Sequence, residues 1–179
     1  SNPLSANATD SWITNSTIPI GGRKIFYNNS KFDLNNPVAN ASDDAAIATD
    51  KSALLPGSTA NKIHYTSFSK GINGIMLDIA GLPTATNPAA SDFVFKTGNN
   101  SVPGGWAAAP APTSVTTRRG AGVGGSDRIT LIWADNAIQK KWLQITANAN
   151  ANTGLAAPDV FYFGNAIGES GNSLTDALV

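Results

Sequence analysis

Cysteine is absent from the 179 residues, which excludes a disulfide framework, a thiolate metal centre and a cysteine nucleophile. It also leaves the redox compartment unreadable from thiols. The chain has one histidine, His64, and one glutamate, Glu169. A three-histidine metal site is therefore impossible, and a paired-carboxylate hydrolase would have to be assembled from aspartates alone. Charge is scarce as well: 13% of residues are Asp, Glu, Lys or Arg, against roughly 25% in an average globular protein. With 12 basic and 12 acidic residues there is no net positive field to hold nucleic acid. No run of about 18 apolar residues marks a membrane helix. Ser1 to Ala6 lack the basic and apolar regions of a signal peptide, which in a domain cut from a longer protein says nothing about where the parent resides.

What is present suits a loop-rich β protein. Hydrophobic residues make up 41%, enough for the core of one domain at this length, with residues 1–10 and 168–179 expected to be linker-like ends. Apolar residues alternate with a period of two in Arg23–Tyr27, Ile72–Ala80, Asp92–Lys96, Arg128–Ala134, Lys141–Ala147 and Val160–Phe163, the pattern of half-buried strands. Turn chemistry separates them, as in Asn35-Asn36-Pro37, Pro56-Gly57 and Pro103-Gly104-Gly105. Successive side chains of a strand point to opposite faces. Ile75, Leu77 and Ile79 therefore face a core with Phe93 and Phe95, Ile129, Leu131 and Trp133, Leu143, Ile145 and Ala147, and Phe161 and Phe163. The expected fold is all-β: an antiparallel β-sandwich of jelly-roll or related Greek-key type, a barrel being the alternative. At most one short helix is expected, within Ser42–Leu54, where Ser42 is placed to cap and Pro56-Gly57 to stop it; a single helical turn in a loop is the plainer alternative.

Residues able to carry chemistry are few. His64 lies in the strand-like run Lys62–Phe68 and reads as an outward surface residue. Asp78 projects away from the core set, while Asp127 and Asp135 suit turn capping better than catalysis. Gly120-Ala121-Gly122-Val123-Gly124-Gly125 has the letters of a dinucleotide-binding loop but leads into a strand instead of a helix, so a hairpin is expected. Asp33, Asp43, Asp44 and Asp50 lie in an Asn-rich stretch compatible with a structural calcium ion, although without EF-hand spacing; helix capping is the competing reading. In Lys140-Lys141-Trp142-Leu143-Gln144-Ile145-Thr146, alternation places Lys140, Trp142, Gln144 and Thr146 opposite the core. An outward indole beside hydrogen-bonding side chains suits the apolar C–H face and hydroxyls of a sugar, although a loop covering the tryptophan fits equally well. Trp106, on a Pro-Gly-Gly loop, is a second platform candidate. Arg118, next to the glycine-rich loop, is a candidate partner for an acidic substituent.

Ile25-Phe26-Tyr27-Asn28-Asn29-Ser30, Ser42-Asp43-Asp44-Ala45-Ala46-Ile47-Ala48-Thr49-Asp50-Lys51 and Gly71-Ile72-Asn73-Gly74-Ile75-Met76 form one pattern with later segments. Those are Gly125-Ser126-Asp127-Arg128, Ile132-Trp133-Ala134-Asp135 and Asp159-Val160-Phe161-Tyr162-Phe163-Gly164-Asn165. Together they resemble a β-sandwich module found near the carboxyl end of large secreted bacterial multidomain proteins, beside dockerin-like repeats and carbohydrate-active domains. The resemblance implies an extracellular, non-catalytic accessory domain with polysaccharide and neighbouring domains as partners, and no nucleic acid or membrane. It brings no site residues of its own. The reading that follows is a carbohydrate-binding module using Trp142, Gln144, Lys140, Trp106 and Arg118. A spacer or adhesion domain is the alternative, and a polysaccharide lyase or hydrolase a third.

Overall fold

The structure is a computed structural model that describes residues 20–168. Nearly all of residues 1–10 and 168–179, read above as linker, lie outside the described part. Nine strands follow one another: β1 (Ile20–Ile25), β2 (Tyr65–Thr66), β3 (Gly74–Ile79), β4 (Phe93–Gly98), β5 (Ala107–Ala108), β6 (Ser114–Arg118), β7 (Asp127–Ile132), β8 (Trp142–Ala147) and β9 (Asp159–Asn165). They form a four-stranded sheet in the order β1-β3-β7-β6 and a five-stranded sheet in the order β2-β9-β8-β4-β5. Every pairing is antiparallel except the short β2–β9 contact. The chain is an all-β sandwich. Among the described residues no helix is long and apolar enough to cross a membrane.

The six alternating runs all become strands, and the side-chain period sets their faces. Opposed pairs such as Leu77↔Ile129 in one sheet and Leu143↔Phe163 in the other direct their side chains between the sheets. There Ile75, Leu77, Ile79, Ile129, Leu131, Leu143, Ile145, Phe161 and Phe163 are fully buried. Each large apolar side chain so enclosed stabilises the fold by roughly 1.5–3 kcal/mol relative to exposure. Trp133 closes the core against Phe95, edge to face at 5.3 Å, and its indole N–H donates to the Pro110 carbonyl at 2.9 Å. The glycine-rich loop joins β6 to the antiparallel β7 as a hairpin, with Gly120, Gly124 and Gly125 at positive φ where a side chain would be strained.

Ser42–Leu54 is not a helix. Residues Ala41–Ala46 make a 3-10 segment capped by Asn40, whose side chain accepts from Ser42 N, and Ile47 is already extended, bridging to Phe26. Alanine content favours a helix locally, but packing outweighs it: Phe26 and Ala46 bury against Met76 and Ile132 in a second apolar cluster. Segment 26–48 thus covers the outer face of the four-stranded sheet, which period-two reasoning would leave to solvent. The outer face of the five-stranded sheet is more open, with Val94 exposed and Gln144, Thr146, Val160 and Tyr162 half-buried.

Candidate ligand-binding groove

The outer face of the five-stranded sheet carries a groove of about 560 Å³ between two loops. Leu54, Leu55 and Pro56 form one wall, Asn99, Asn100, Ser101 and Trp106 the other, and Trp142 and Tyr162 the floor. Strand register explains the floor. Trp142 stands opposite Gly98 on β4 and Gly164 on β9, so its indole has glycine on both sides. A methyl at Gly164 would sit 2.8 Å from Tyr65 Cβ and 3.2 Å from the Trp142 ring, and one at Gly98 would overlap the Trp106 indole. Two glycines therefore provide the space in which the two tryptophans lie.

Trp142 points away from the core as alternation requires, yet it is only 7% exposed. Tyr65 and Ala166 bury with it, and Leu54, Ala60, Trp106 and Tyr162 pack on it, so it is a floor instead of an open platform. Trp106 is the more accessible indole. It meets Tyr162 edge to face at 5.9 Å, and its Nε1–H donates to the Asn100 carbonyl at 3.1 Å and to Asn100 Oδ1 at 3.0 Å. Gln144 Nε2 donates to the Tyr162 hydroxyl at 2.8 Å, which fixes the phenol next to the groove.

The other expected ligand residues are not brought to it. Lys140 precedes β8 in a left-handed turn (φ 52°), so the alternation does not extend to it; its carbonyl accepts from Asn99 Nδ2 at 2.9 Å. Arg118 belongs to the other sheet and is held by both oxygens of Asp44. Pairing with a carboxylate is what an arginine fork favours, and here the partner is internal. Tyr162, Asn99 and Asn100 are groove residues absent from the expected set. Tyr162 was accessible to period-two reasoning, since it alternates with Phe161 and Phe163, whereas nothing local brings Asn100 to Trp106.

The candidate acid–base residues are engaged. His64 lies in the 3-10 segment Lys62–His64 instead of an outward strand; it is 8% exposed and its Nδ1–H donates to the Ser52 carbonyl at 3.0 Å. Asp78 is fully buried, bound by Arg128 Nε and Nη2 at 2.7 and 2.8 Å and by the Val123 N–H at 3.1 Å. Asp127 caps the glycine loop through Gly120 N–H and pairs with Arg119, while Asp135 joins Lys70, Asn29 and Asn73 in a surface network.

Of the four acids read as calcium ligands, Asp33 and Asp44 act on Asp43 at close quarters. Among the described residues no group of three or more His, Asp or Glu is placed to hold a metal ion. Asp50 is exposed beside Lys51, and Asp44 joins Arg118 to Arg128. Asp33 and Asp43 each close a capping box, Asp33 through Asn29 and Ser30 N–H at 2.6 and 2.8 Å and Asp43 through Asn40 N–H at 2.9 Å. Asp43 Oδ1 is buried with no hydrogen-bond partner among the described residues.

Asp43 and Asp44 respond to pH with opposite signs. Burial pushes the Asp43 carboxyl up, the Asn40 N–H draws it back, and the nearby Asp33 and Asp44 charges raise it further. For Asp44 burial also raises, but the hydrogen bonds and charges of Arg118 and Arg128 outweigh it, leaving the group below the usual aspartate value. A depressed acid stabilises the fold above its unfolded value of about 3.9, and this contribution is lost as pH falls through the folded value. A raised acid does the reverse, adding stability as pH falls through its folded value toward about 3.9. Asp44→Asn should therefore melt below the wild type at pH 7, with a deficit that shrinks as pH falls below about 3.9. Asp43→Asn should melt above it at pH 7, with an advantage that closes by about pH 4. Melting curves of the three proteins over pH 3–7 check both signs; parallel curves would refute them.

A scan of protein-family models and searches of curated proteins and of solved structures return no match to this chain, so the functional reading rests on the groove and its residues.

Proposed function

We propose that this domain is a non-catalytic carbohydrate-binding module, of the kind that accompanies polysaccharide-directed domains in secreted proteins. The supporting observation is the groove itself, with Trp106 on one wall, Trp142 and Tyr162 on its floor and asparagine and serine at its rim. Aromatic faces cover the C–H surface of a pyranose, and amides and hydroxyls exchange hydrogen bonds with its hydroxyls. A non-catalytic role is favoured because His64 and Asp78, the residues best suited to proton transfer, are tied into hydrogen bonds and ion pairs and are not among the described residues that line the groove. Extracellular location and neighbouring domains as partners rest on the sequence resemblance alone.

Affinity gel electrophoresis against a panel of polysaccharides tests the reading. Retardation by at least one polymer is expected, at dissociation constants of about 10 µM to 1 mM, the range where only a few kcal/mol are at stake. Trp106→Ala should weaken it at least tenfold with the circular dichroism spectrum unchanged. The same gels run with calcium and with a chelator show whether an ion supports the site or the fold that presents it. A folded domain retarded by no polymer favours the spacer reading, and release of reducing or unsaturated ends from any polymer favours an enzyme.

A further inference from the structure

Resting on the carbohydrate-binding reading, we infer that the groove selects uncharged glycans and rejects acidic ones. None of the thirteen described residues that line it is Asp, Glu, Lys, Arg or His. A carboxylate or sulfate drawn into a partly apolar groove gives up hydration against neutral donors alone, with no cation to offset its charge, and an amino sugar finds no acid either.

No lysine or arginine is among the described residues that line the groove, neither Lys62 beside Ala60, nor Lys140 and Lys141 beside Trp142, nor Lys96 below the Gly104 loop. Lys96, in register with Gln144 on the same outer face, donates its ammonium to the Gly104 carbonyl at 3.2 Å. Arg118 is on the opposite sheet with Asp44 as its partner, and Lys140 is not among the lining residues. What the groove offers instead is neutral hydrogen bonding with defined polarity. The Trp106 N–H fixes the Asn100 amide with its oxygen inward to the indole, so Asn100 Nδ2 is left to donate. Asn99 spends its Nδ2 on the Lys140 carbonyl, so its oxygen is left to accept. The Tyr162 hydroxyl accepts from Gln144 and keeps its proton to give. Donors and acceptors of both kinds beside an indole match sugar hydroxyls, each of which both donates and accepts.

The test is a paired panel on the folded domain: hydroxyethyl cellulose, galactomannan, xyloglucan and dextran against alginate, polygalacturonate and dextran sulfate, each at 20 and 500 mM NaCl. At least one neutral polymer should retard the domain equally at both salt concentrations, no acidic polymer should retard it at either, and Lys96→Ala and Lys140→Ala should stay within twofold of wild type. Retardation by an acidic polymer that fades at 500 mM NaCl would overturn the inference while leaving the binding reading intact, since attraction between opposite charges is screened by salt. A tenfold loss in either lysine variant would overturn it in the same way. No retardation by any polymer would end the binding reading and this inference with it.

Discussion

Replacing Arg128 by alanine is expected to cost about 3–5 kcal/mol, the range for removing one partner of a buried ion pair, and to lower the melting temperature by on the order of 10 °C. Arg128 is 5% exposed and Asp78 not at all, so among the described residues the variant leaves an enclosed carboxylate with the Val123 N–H at 3.1 Å as its remaining hydrogen-bond donor. Asp44 also loses its 2.8 Å contact with Arg128 Nη1. The loss does not follow from the pair being intrinsically stabilising, because desolvating two charges cancels much of their attraction. Asp78→Leu/Arg128→Met should therefore regain a large part of it, the remainder reflecting the Val123 and Asp44 contacts. Urea denaturation of the single and double variants measures both quantities. A single variant within 1 kcal/mol of wild type would show that water reaches Asp78, contrary to its burial.

The second large effect falls on binding, with a smaller one on stability. Gly98→Ala places a methyl inside the space of the Trp106 indole, and the rigid ring has to leave its position over β4. The Trp106–Tyr162 contact and the two N–H bonds to Asn100 go with it. An aromatic pair of this kind contributes about 0.5–1.5 kcal/mol and the shared N–H bond to Asn100 about 0.5–1.5 kcal/mol more, so unfolding should shift by on the order of 1–3 kcal/mol. Retardation by the bound polymer should fall at least tenfold, as in Trp106→Ala. Isothermal titration together with a urea curve separates the two readouts. Unchanged affinity in Gly98→Ala would remove Trp106 from the site. Gly164→Ala is a useful contrast: its methyl would press on Tyr65 Cβ and the Trp142 ring, which are buried and cannot swing aside, so stability should fall along with binding.

These variants also mark how far local pattern carries. The strand β3 alternation predicts that Asp78 points away from the core, and it does; the pattern carries no information that segment 26–48 and the glycine hairpin then cover it. His64 shows the same limit. A polar residue in a strand-like run suggests solvent, but the Asn61 side chain caps a 3-10 turn there and Ser52 supplies a carbonyl from across the fold. Lys140 fails for a different reason: a left-handed residue before β8 breaks the period on which its placement depends.

Period-two hydrophobicity, turn residues and the absence of cysteine and of helical periodicity are properties of neighbours along the chain, and from them the sequence by itself determined the all-β class, the six long strands and their inward faces. Trp142 and Gln144 could likewise be placed on the outer face from alternation alone. Which outer face is covered, which acids meet which arginines, and which loops enclose the tryptophans were decided only by the tertiary structure. Those contacts join residues far apart in sequence, as Asp44 meets Arg128 and Leu54 meets Tyr162. Their formation depends on the fit of whole segments against a finished sheet, which no local spacing encodes.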